Sequence, residues 1–181
     1  MTNDELMKTA ADLLAPWTKS SRTPEANRLD VHINGADLLP AVKALLDAHW
    51  GYLVAITALD YLGKPNPFAQ DERFKQLVDA GALTADAAVF ELLYFFSAGP
   101  VMCALRMIAP RTATQIDSVC GLISSASFFE RELSEMFGVK VLGTPNTDRL
   151  FLPDEWPYDV YPLRKDFVPN TAQPTTETGK S

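Results

Sequence analysis

Apolar residues recur at helical spacing in three stretches of the chain. In residues 4–14 the stripe is Leu6, Met7, Ala10, Leu13 and Leu14, and Pro16 stops the helix that it predicts. In residues 37–49 it is Leu38, Leu39, Val42, Leu45 and Leu46. In residues 127–138 Phe129, Leu133, Met136 and Phe137 line one side, Ser127 and Glu130 are spaced as a capping box, and Gly138 supplies a left-handed stop. Elsewhere the period shortens to two or the run is solidly apolar. Leu29, Val31 and Ile33 alternate with Asp30 and His32, which predicts a strand. Residues 52–59 read as a buried strand, and residues 88–97 and 101–108 as a hairpin turning at Ala98-Gly99-Pro100. A short strand is expected at 139–142, a helix at 114–124 and polar, irregular chain at 17–28. Residues 62–84 read as an insertion, with a turn at Pro65-Asn66-Pro67 and a short helix bearing Phe74, Leu77 and Val78 that Gly81 ends.

Strands joined by tight connections pair antiparallel, so the expected fold is α+β, a sandwich of helices on one face of an antiparallel sheet. Residues 1–142 would form that domain. Residues 143–181 differ. Pro145, Pro153, Pro157, Pro162, Pro169 and Pro174 forbid regular structure, yet Phe151, Trp156, Tyr158, Tyr161 and Phe167 are too apolar to leave wet. An extended C-terminal arm with a disordered end, lying on some protein surface, satisfies both facts.

Composition narrows the partners. The net charge of −7 argues against nucleic acid or an anionic membrane as the main partner, since both demand a basic footprint. The longest nearly apolar stretch, 92–105, is broken by Gly99-Pro100 and falls short of the roughly 20 residues of a membrane span. With no basic n-region at the N-terminus, a cytoplasmic chain is the expectation. Cys103 and Cys120 are expected as buried free thiols.

Several chemistries lack their residues. Two cysteines seventeen apart cannot ligate an iron–sulfur cluster alone, and His32 and His49 belong to no zinc pattern. Neither a phosphate-cradling glycine motif nor a nucleophile elbow is present. Glu130 and Glu132, two apart on a helix, point in different directions and cannot share a proton. They read, with Arg131, as charges for an interface or for internal pairing. In the arm, Arg164 and Asp166 would face one way and Lys165 the other.

The blocks E-R-E-L-S-E-M-F-G at 130–138, G-T-P-N-T-D-R at 143–149 and P-L-R-K-D-F at 162–167 together resemble the signature of the 30 kDa subunit of respiratory complex I. That family includes the C subunit of bacterial NADH-quinone oxidoreductase and subunits of membrane-bound hydrogenases. Thr144 stands where the family usually has histidine, and Asp148 where it has the first of two arginines. The resemblance implies a peripheral scaffold subunit on the cytoplasmic side of the membrane. It would hold a 49 kDa-like large subunit and a small iron–sulfur subunit near a quinone site, touch the membrane only through the complex and bind no cofactor itself. Iron–sulfur clusters, flavin and quinone would sit in its partners. The residues then expected at subunit interfaces are Glu130, Arg131, Glu132, Arg149, Phe151, Trp156, Tyr161, Arg164, Lys165, Asp166 and Phe167. An equivalent subunit of an energy-converting hydrogenase or F420H2 dehydrogenase, and a stand-alone module whose arm fits a partner's groove, are the alternatives.

Overall fold

The computed structural model describes residues 1–62, 72–79, 81 and 87–169. Five strands form the main sheet: β1 (Ser20–Glu25), β2 (Arg28–His32), β3 (Tyr52–Asp60), β4 (Val89–Ala98) and β5 (Val101–Pro110), in the order β1-β2-β5-β4-β3. Every junction is antiparallel except β2 with β5, so the fold is α+β with a mostly antiparallel sheet. The helices are α1 (Asn3–Leu14), α2 (Leu38–Asp47), α3 (Glu72–Asp79) and α4 (Ala126–Phe137).

One core joins α1, α2 and α4 to the sheet face formed by Val31, Phe90, Leu92, Tyr94, Phe96 and Leu105. Helix α1 starts from a capping box between Thr2 and Glu5, and the Trp50 indole donates to its Leu6 carbonyl at 2.9 Å. The short helix α3 appears where periodicity placed it and ends at Gly81, whose N–H bonds to Val78. Its Phe74 packs with Val89 and Ile108. Those two alternate with Phe90 and Met107 along their strands, so α3 lies on the opposite face. The turn expected at Pro65 to Pro67 and the disordered end lie outside the described residues.

That opposite face carries a buried charge network. Arg106 of β5 donates to Glu91 of β4 through Nε and Nη2, both at 2.7 Å, and to Asp30 of β2 through Nη1 at 2.5 Å. Arg28 and Arg22 approach Asp30 from its outer side at 3.0 and 3.1 Å, and the Tyr61 hydroxyl donates to Glu91. The carboxyls of Asp30 and Glu91 are fully buried. Three strands are thereby stapled by charge-assisted bonds as well as by their ladder.

Four expectations need correction. Residues 20–25 are strand rather than irregular chain: β1 is polar and exposed throughout, with ladder bonds to β2 rather than a buried face. Strand β3 is only half buried, because it is an edge strand; Tyr52, Val54 and Leu59 are exposed while Leu53, Ile56 and Ala58 face the core. Residues 114–124 are not a helix. Ile116 is buried in β6 (Gln115–Asp117), which pairs in parallel with β7 (Lys140–Leu142), and turns follow as far as α4. Lastly, the capping box at Ser127 and Glu130 is absent. Helix α4 begins at Ala126, and Glu130 is turned away from its N-terminus.

Candidate functional site

Helix α4 is the element around which the C-terminal third is built, and its polar residues divide the task. Glu130, completely buried, accepts from the Val119 N–H and the Ser118 hydroxyl, both at 2.7 Å, and from the Cys120 thiol at 3.1 Å. The carboxylate thus supplies acceptors to the turn after β6, where backbone donors lack ladder partners. Burial, with Glu130 beside it, pushes the Cys120 thiol up, and burial takes Cys103 to about 12; both cysteines are free thiols, although Cys120 is only part-buried.

One turn on, α4 grips the arm. The Arg131 guanidinium donates to the carbonyls of Asp148 at 2.8 Å and Arg149 at 2.6 Å. Glu135 accepts from the N–H groups of Leu150, Phe151 and Leu152 at 3.1, 2.9 and 2.9 Å. Two side chains four apart lie on one helix face, so a cation and an anion can hold consecutive carbonyls and amides of a crossing chain. Arg149 then braces the arm on itself, donating to Pro153 and Trp156 carbonyls, both at 2.6 Å, while lying 5.5 Å from the Tyr158 ring centre. Replacing Glu135 by alanine orphans three amides. Since water reaches this surface, the expected cost is roughly 1–2 kcal/mol, together with faster hydrogen exchange at residues 150–152 while the β4–β5 amides stay protected.

Gly138 sets the next contact. It caps α4 at φ 70°, and a Cβ there would come within 2.5 Å of Tyr161 Cζ and 2.6 Å of Arg164 Nη2. Into that space Arg164 inserts, donating to the Phe137 carbonyl at 2.7 Å between the rings of Tyr161 and Phe90. The Trp156 indole donates to Val160 and its ring tilts against Phe167, with centres 6.1 Å apart. Finally Arg111 binds both oxygens of buried Asp60 at 3.1 Å and reaches over to Asp166, while the Lys165 N–H donates to Asp60 at 2.9 Å. The Arg111 guanidinium, despite burial, is held protonated more firmly by these two carboxylates. Burial pushes Asp166 up, yet Arg111, with a backbone hydrogen bond, outweighs it and holds the carboxyl below its ordinary value.

The expected interface residues therefore fall into three groups. Glu130 is inside the chain and is unavailable to any neighbour. Arg131, Arg149, Trp156, Tyr161, Arg164, Asp166 and Phe167 are joined to one another or to the body and shape the arm from within. Arg164 and Asp166 do not act as a pair, since one enters the α4 end and the other meets Arg111. Glu132 is part-exposed without a hydrogen bond or ion pair among the described residues, Lys165 is exposed and Phe151 is 63% exposed. Tyr158 at 88%, Leu163 at 50% and Val168 at 56% are further exposed apolar side chains of the arm. Sequence reasoning missed Glu135 as an arm-binding residue, and Asp60 and Arg111 altogether. A lone acid ending an apolar strand was the signal available for Asp60.

Among the described residues no group of three or more His, Cys, Asp or Glu is placed to hold a metal ion, and no helix is long and apolar enough to cross a membrane. Helix α4 thus holds the arm largely through the arm's main-chain groups. Residues 31–173 match the family model described as respiratory-chain NADH dehydrogenase, 30 Kd subunit, and the chain belongs to that family. The NADH-quinone oxidoreductase C subunit of Citrifermentans bemidjiense is 30% identical over 148 residues, covering 80% of this chain and 77% of that protein. Hydrogenase-4 component G of Escherichia coli is 31% identical over 158 residues, covering 87% of this chain but only 24% of that much longer protein. A trypsin-resistant fragment of Nqo5 shares the fold with a TM-score of 0.57 at 20% identity, over 81% of this chain and 99% of that one.

Proposed function

We propose that the chain is the scaffold subunit of a complex I-like oxidoreductase, holding a 49 kDa-like large subunit and a small iron–sulfur subunit in place for electron transfer to quinone. Electrons would run through those partners, which carry the clusters, flavin and quinone, and the subunit would reach the cytoplasmic side of the membrane through them. The observation that carries this reading is an arm fixed on its own body by main-chain contacts that still turns Phe151, Tyr158, Leu163 and Val168 outward. Apolar side chains held out on a rigid frame are what a permanent protein contact buries. Glu132 and Lys165 would add charges to such a contact.

Co-expression with the large subunit tests this. The two chains are expected to co-elute, and the double variant Phe151→Ala/Tyr158→Ala is expected to weaken association at least ten-fold with its own melting temperature within about 2 °C of the parent, since exposed positions contribute little to stability. Separate elution of the unaltered pair sinks the proposal. The match to hydrogenase-4 component G favours, as a second reading, the same role in a membrane-bound hydrogenase. Nickel in the co-purified large subunit would select that reading, and co-purified flavin the respiratory one.

A further inference from the structure

Arg164 fixes the arm with one corner of its guanidinium and leaves the rest unused. Its Nε donates to the Phe137 carbonyl at 2.7 Å, and its central carbon lies 4.2 Å from the Tyr161 ring centre and 5.4 Å from that of Phe90. The Nη groups make no hydrogen bond or ion pair among the described residues, and neither is buried, so both meet solvent from a part-buried side chain. Asp60 and Asp166 are close enough for their charge to be felt, but both are already bonded to Arg111. Burial, and then the like charge of Arg111, prevail over those carboxylates and over Tyr161, and hold the Arg164 guanidinium below its ordinary value. Arg106 and Arg111, each bonded to two carboxylates, move the other way. Arg164 is thus a cation that the fold holds at a cost, with donors pointing to no acceptor.

Resting on the scaffold reading, we infer that the Nη edge of Arg164 receives a carboxylate side chain of the large subunit. Rings lie against the guanidinium and Phe137 takes its Nε, so the edge between the Nη groups is what remains, and two parallel N–H bonds from such an edge match a carboxylate. A basic or apolar side chain offers these donors nothing, and a neutral carbonyl would accept a bond without meeting the charge. A polyanion shares the charge, but a chain of net charge −7 repels it. The contact also lies beside Leu163, whose exposed side chain would be covered with it.

The test follows modification of arginines by phenylglyoxal, read by mass spectrometry, in the full chain alone and in complex with the co-expressed large subunit. In the free chain Arg164 is expected to react at least ten-fold faster than Arg106, whose Nη groups are bonded in the interior. In the complex its reaction is expected to slow more than two-fold. Any covering group would protect it, so a second measurement asks what the group is. The variant Arg164→Lys/Lys165→Arg, treated with a carbodiimide in the complex, is expected to form an amide between the amine at position 164 and an Asp or Glu of the large subunit, with loss of water. Protection of two-fold or less overturns the inference. So does a co-eluting variant that couples to no carboxylate of the large subunit, or equal protection of the free chain by inorganic phosphate alone. A variant that no longer co-elutes while its Trp156 emission matches the parent supports the inference, because it keeps the charge and loses the fork; if that emission shifts, the phenylglyoxal result decides. Co-elution of the unaltered pair with Arg164 unprotected leaves arm docking standing and removes only the carboxylate, whereas separate elution removes both.

Discussion

Replacing Arg106 by methionine is expected to destabilise the protein by about 3–5 kcal/mol, the usual penalty for removing one partner of a buried ion pair. Methionine can fill much of the space taken by the arginine stem, so the loss is electrostatic: Glu91 and Asp30 each lose charge-assisted bonds while remaining in the interior. Urea unfolding followed by tryptophan fluorescence gives the number, and a loss below about 1 kcal/mol would mean that the carboxylates are hydrated or screened by Arg22 and Arg28. The pH dependence supplies a second check. Burial pushes Asp30 upward, yet Arg106 and Arg28 outweigh it and hold the carboxyl below its ordinary value. A depressed carboxyl stabilises the fold above its unfolded pKa and loses that contribution as pH falls through the folded one. With Arg106 gone only Arg28 and Arg22 oppose burial, so Asp30 is expected to rise and the gap between parent and variant to narrow as pH is lowered from 7 towards 4. A constant gap would assign the loss to packing.

Gly138→Val is expected to have the largest effect on the arm. A non-glycine residue at φ 70° costs roughly 1–2 kcal/mol before any contact is considered. The new methyl groups would also occupy the space of Tyr161 and Arg164, whose bond to Phe137 closes the end of α4. The arm is expected to lift from about residue 156 onward, reddening Trp156 emission and opening a protease site between residues 156 and 167. The core around Phe90 and Leu133 should keep its protection from hydrogen exchange. If the variant unfolds as one unit with the parent's cleavage pattern, arm and body are a single cooperative structure and the clamp is not separable.

Much of this architecture is legible in the chain because periodicity reports burial. The α4 stripe and the β4–β5 hairpin have apolar patterns that admit one reading, and Gly138 announces its conformation. The pattern fails where side chains are not what organises the backbone. Strand β1 has no buried face to leave a trace, and β6 is specified by β7, whose partner residues lie 25 positions later. Glu130 fits a capping box by spacing, yet the competing demand of three donors around Ser118 to Cys120 prevails. Prolines and rings identify the arm, but not its course. Arg131 and Glu135 bind carbonyls and amides, which every residue has, so no complementary side chain betrays the contact. The link from Asp60 to Lys165 spans 105 residues and leaves no local signature.

Because α4 seizes the arm by its peptide groups near Leu150 and Phe151, where the chain runs and what it displays are separable properties. An outward side chain on that crossing, such as Phe151, can be exchanged without loosening the grip, provided that no proline removes a donated hydrogen. The same cradle could thus present different outward chemistries to different large subunits, which gives recognition a route to change while the framework beneath keeps its shape.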